Sequence, residues 1–114
     1  MNGIIVLLLQ ARTLFHVKHL LSKNFNEHII LNELYDSILE RTDQLAEVYQ
    51  GKYNDLTINS LPSISMEGDS LQHALEIRKD LEDFRSSEEN DQINAILDET
   101  INDFSRAIYK LRMR

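Results

Sequence analysis

Pro62 is the chain's only proline, and Gly3, Gly51 and Gly68 are its only glycines. These two residue types most often end helices, proline by lacking an N–H and glycine by its backbone freedom. Neither occurs between Gly3 and Gly51. Long uninterrupted helices are therefore the default expectation for the first half of the chain.

Apolar spacing fills in those helices. A first helix is expected over about residues 4–22, with Leu7, Ala11, Leu14, Val17 and Leu21 as its core stripe. Ile5, Leu8, Phe15 and Leu20 add apolar surface outside that stripe, a surplus that points to a subunit contact. The break Lys23–Asn26 offers Asn24 or Asn26 as an N-cap for a second helix over about 27–50. Leu31, Leu34, Ile38, Leu45 and Val48 mark its inner face, and Gly51 is expected to end it in the left-handed conformation. So short a break makes the two helices antiparallel neighbours.

Residues 52–68 show no sustained period, apart from a turn or short helix expected around Leu56–Leu61. A connection that long fits a compact domain best when it crosses from one end of a bundle to the other. A third helix follows over about 69–85, capped by Asp69 or Ser70, with Leu71, Ala74, Leu75, Arg78, Leu81 and Phe84 or Arg85 along one side. Ser86 and Glu89 have the spacing of a capping box for a fourth helix over about 87–111. Its stripe is Ile93, Ile96 or Leu97, Thr100 or Ile101, Phe104, Ile108 and Leu111. The expected fold is all-α: one domain over 1–114, a ferritin-like antiparallel four-helix bundle with one long crossover between the second and third helices.

Composition narrows the chemistry. With no cysteine, disulfides, thiolate catalysis and Cys-based metal sites are excluded. A net charge of −7 argues against a surface that binds nucleic acid generally. Arg106, Lys110, Arg112 and Arg114 crowd the last turns, where they complement the helix dipole or make a weak phosphate contact. The apolar run Ile4–Leu9 is far shorter than the roughly 20 residues of a membrane span, and no Lys or Arg precedes it. A buried helix start, no membrane association and a cytoplasmic location are expected.

Four metal-capable side chains stand out: His16, His28, Asp43 and Glu47. His28 and Asp43 lie 15 residues apart, about 22 Å along a straight helix. Ligands of one metal sit at about 2 Å from it, so one chain cannot close a site from all four. A second copy packed antiparallel about a twofold axis brings His28 of one beside Asp43 of the other. Counting outward from the break, His16 falls level with His28–Ile30 and stands beside His28. His19 is expected on a different side of the helix, at most an auxiliary ligand, and His73 reads as surface. No histidine follows a glutamate by three residues, so a di-iron site in the middle of a bundle is disfavoured.

The intervals and their surroundings, LFHVKHLL and HIILNELYDSILERTDQLAEVYQG, resemble the Dps family of mini-ferritins. In that family a histidine on the first helix is followed twelve positions later by a second histidine. An aspartate comes fifteen positions after that, and a glutamate four further on. His16, His28, Asp43 and Glu47 reproduce all three intervals. The resemblance covers about residues 12–51 and implies an Fe(II)-oxidising centre shared across a twofold dimer, in which these four residues are the catalytic and metal-binding set. It further implies oxidation by hydrogen peroxide or oxygen, a homo-oligomer closing into a dodecameric shell, storage of the iron, and a part in oxidative stress. Imidazole and carboxylate donors suit an iron that changes oxidation state. Asn32 stands where the family usually carries another acid and offers a neutral oxygen as a further ligand; Val17 replaces its common tryptophan. The family's basic N-terminal tail is absent, so its DNA binding is not carried over.

Two other readings of the same residues stay open. Asp36, Glu40, Asp43 and Glu47 also have the spacing of a solvated helix face. The competing function is then a non-enzymatic helical-bundle interaction protein with a vestigial metal site. A nucleic-acid binder acting through the C-terminal cations is the third.

Overall fold

The break between the first two helices is set by two polar side chains. Asn24 accepts from the Glu27 amide and caps the second helix, while Ser22 Oγ bonds Asn24 on the other side. The structure, a computed structural model, describes residues 1–114. It contains helices α1 (Asn2–Leu21), α2 (Phe25–Lys52), α3 (Ser70–Ser87) and α4 (Asp91–Leu111), and no strand. α2, at about 1.5 Å per residue, runs about 42 Å, close to the 43 Å long axis of the molecule. It therefore forms the spine of a four-helix bundle.

Each helix has two neighbours. α1 packs against α2 and α3, and α4 packs against α2 and α3, while the diagonal pairs α1–α4 and α2–α3 keep their backbones apart and meet only through core side chains such as Phe15 and Phe104. The core between them holds Leu8, Leu14 and Phe15 of α1, Leu31, Ile38 and Leu45 of α2, Leu81 of α3, and Ile93, Leu97, Phe104, Ile108 and Leu111 of α4. Phe15 and Phe104 meet edge to face, 6.0 Å between ring centres, at its middle. Thr42 and Thr100 are buried too, their hydroxyls satisfied by the Ile38 and Ile96 carbonyls one turn back.

The connection between α2 and α3 follows α1 along its length. Asn2 donates to the Thr57 carbonyl, Gln10 to that of Pro62, and Lys18 to that of Gly68. No helix forms at Leu56–Leu61; the backbone there is irregular and mostly exposed, and Asn2 of α1 serves the Thr57 carbonyl. Gly68 closes the connection with φ 104°, the chain's only positive φ.

Several local expectations differ from the structure. Gly51 lies inside α2, which continues to Lys52 and ends at Tyr53. Ser86 and Ser87 belong to the last turn of α3, where their hydroxyls donate back to the Asp83 and Phe84 carbonyls. α4 is capped instead by Asn90, which accepts from the Gln92 and Ile93 amides. In α1 the buried residues are Ile4, Ile5, Leu8, Ala11, Leu14 and Phe15. Leu21, expected in the core, is 65% exposed because α1 ends there, and Leu8 and Phe15 are core rather than surplus. In α3 Ile77 takes the buried position, while Arg78 reaches outward to Ser105 and Glu82.

α1 is also long and apolar enough to cross a membrane on length and composition alone, a character that a helix packed in a core shares. The C-terminal cations are partly neutralised. Lys110 pairs with Glu33, and Arg114 with Glu27 and Asp69, which ties the end of α4 to the starts of α2 and α3.

Candidate metal centre

Three of the four histidines gather where α1 runs into α2. His19 and His28 lie face to face, ring centres 3.7 Å apart and planes 19° from parallel. His19 Nδ1–H donates to the His28 carbonyl at 2.6 Å, and His28 Nδ1–H donates to the His19 carbonyl at 2.8 Å. A carbonyl can only accept, so each ring carries its proton on Nδ1 and, when neutral, presents a bare Nε2 lone pair. This is the arrangement that orients a metal-binding histidine from behind.

His16 sits outside that pair. Its ring stacks on Tyr35 at 4.4 Å and lies 6.3 Å from His19. Tyr35 Oη donates to Asn32 Oδ1 at 2.8 Å, so Asn32 is committed to the tyrosine. The ring on His28 is thus that of His19, not His16. The expectation that His19 points elsewhere is corrected. α1 stops at Leu21 and α2 starts at Phe25, so His19 and His28 are near-equidistant from the break. The same outward count gives that pairing when the break is centred between Lys23 and Asn24.

An imidazole lone pair lies in the plane of its ring. Two stacked rings therefore aim their Nε2 atoms along separate, nearly parallel planes and do not converge on one ion. Asp43 and Glu47 lie exposed further along α2. Within one chain no three His, Asp or Glu side chains are grouped to hold a metal ion. The carboxylates Asp36, Glu40, Asp43 and Glu47 make no ion pair in the chain.

The perturbed ionisable groups lie elsewhere. Arg85, hydrogen-bonded to Asp98 at 2.9 Å, holds that carboxyl below its ordinary range. Burial works against the charge of Asp69, but Arg114 and the α3 amides outweigh it and lower its pKa. Burial also opposes the charge of Arg41, and Asp103 with Glu99 reverses the effect and raises its pKa. All three join helices. His73, expected at the surface, instead has a buried Nε2 without a partner, beside Gly68.

No curated protein and no solved structure matches the chain. A family model matches residues 19–111, a span that contains His19, His28, Asp43 and Glu47. On that match the chain belongs to a family of unknown function, DUF5856.

Proposed function

We propose that the protein is a ferritin-like, Dps-related iron protein that oxidises Fe(II) at a centre between two copies of the chain. Nitrogen donors come from His16 and His28 of one copy, and oxygen donors from Asp43 and Glu47 of the other. The observation that carries this reading is the reciprocal bonding of His19 and His28. It fixes the tautomer and ring of His28 and leaves its Nε2 free, while Asp43 and Glu47 on the same helix stay unpaired and exposed. The helix neighbours and the connection running along α1 support the ferritin-like crossover.

In this reading iron is the substrate. Fe(II) binds the mixed imidazole and carboxylate set, whose negative charges favour the ferric product. Two ferrous ions give two electrons to one hydrogen peroxide; with two protons, two waters form. Tyr35 holds His16 in place by stacking, and Asn32 positions Tyr35. The oligomer then retains the ferric product within a shell.

Anaerobic addition of Fe(II) followed by peroxide tests the reading. A ferric absorbance is expected in the wild-type protein and lost in the Asp43→Ala/Glu47→Ala double variant. A protein that stays colourless and sediments as a monomer overturns it in favour of a helical interaction module.

A further inference from the structure

Arg12 has a buried Nε with no hydrogen-bond partner, and no carboxylate of its own chain lies within ion-pair distance. A buried donor left unsatisfied costs about 1–3 kcal/mol, and more when charged. Arg41, Arg78, Arg85 and Arg114 are paired with acids; Arg106 and Arg112 are not, but only Arg12 among the arginines has a buried nitrogen left without a partner. Arg12 stands one turn before His16 and so shares its side of α1.

That side of the molecule, formed jointly by α1 and α2, carries unmatched charge of the opposite sign. Asp36, Glu40 and Asp43 of α2 are exposed and make no ion pair. Leu20, 65% exposed, and Leu39, 40% exposed, add apolar area. Because His19 lies against His28 and His16 against Tyr35, Arg12 falls one turn further along, level with Asp36–Leu39 of its own α2.

We propose that this face docks a second copy of the chain, and that Arg12 of each copy pairs with Asp36 of the other. The inference rests on the interchain reading above. Setting His28 opposite Asp43 places the twofold axis midway between them, at Tyr35–Asp36. Arg12 then lies beside the axis, and Asp36 of the second copy is the nearest free carboxylate. A twofold axis makes the pair twice, once on each side, which locks the register that aligns nitrogen with oxygen donors. Arg12 is a positioning residue: it touches no iron.

Analytical ultracentrifugation of the metal-free full-length protein tests this, with Arg12→Glu, Asp36→Arg, the combined Arg12→Glu/Asp36→Arg and the milder Asp36→Asn. Circular dichroism checks that each variant is folded. Each charge reversal is expected to raise the dimer dissociation constant about tenfold or more, and Asp36→Asn by less. The combined variant, which restores the pair with its signs exchanged, is expected to return within about threefold of wild type. A dimer indifferent to the reversals, or a combined variant as weak as the two changes added, overturns the pairing. Such a result in a dimer that still oxidises Fe(II) leaves the interchain iron centre standing. A wild-type monomer that oxidises no iron overturns both.

Discussion

His28 shows how much a single residue depends on what stands behind it. Its ring is clamped by a hydrogen bond to the His19 carbonyl and by the His19 ring itself, so one free nitrogen is presented in one direction. His19→Ala keeps the backbone bond but removes the ring, and ferrous binding is expected to weaken about tenfold, as measured by anaerobic titration. In the core, Phe104→Ala leaves a large void against Phe15 and is expected to cost about 3–5 kcal/mol in denaturant unfolding. The residues proposed to carry the chemistry were picked out in the sequence because histidine and acid intervals can be counted. Which histidine meets which was not, since moving the centre of the break from Ser22 to between Lys23 and Asn24 exchanges His16 for His19 as the partner of His28.

Among the elements, the four helices were legible because apolar periodicity runs through each and lapses only at the polar breaks 22–24 and 88–90 and along the connection that carries Pro62. Helix ends were not, and they failed where two capping sets competed. Ser86 and Asn90 both precede apolar runs, but Asn90 bonds two amides of α4 while Ser86 bonds back into α3. Asn90→Ala is accordingly expected to lose about 1 kcal/mol of stability, and Ser86→Ala much less. At the start of α3, Gly68 has φ 104° and a Cβ there would meet His73 Nε2 at 3.3 Å. Gly68→Ala is expected to cost about 1–3 kcal/mol by thermal or denaturant unfolding. The pH response of that corner follows from Asp69, whose folded pKa lies below its ordinary value of 3.8. A depressed carboxyl stabilises the fold above its unfolded pKa. The contribution is lost as pH falls through the lower folded value. Unfolding midpoints measured from neutral pH downward should show that acid loss diminished in Asp69→Asn.

For the whole molecule, a net charge of −7 and a bundle 43 Å long leave one side, α1 with α2, bearing unpaired acids, an unpaired arginine and free imidazole nitrogen together. One chain brings no three metal ligands into reach, and the distance along α2 from His28 to Asp43 is the physical reason. That separation was legible from residue numbers alone. The central claim is that two chains complete one iron centre, and subunit mixing tests it most directly. His28→Ala and Asp43→Ala chains, each inactive alone, are combined under conditions that allow subunit exchange, and Fe(II) oxidation by peroxide is followed. Half of the dimers are then mixed and carry one intact centre, so recovery of roughly a quarter of the wild-type rate is expected. A mixture as inactive as its parents, although exchange is shown by sedimentation or mass tagging, contradicts a shared centre.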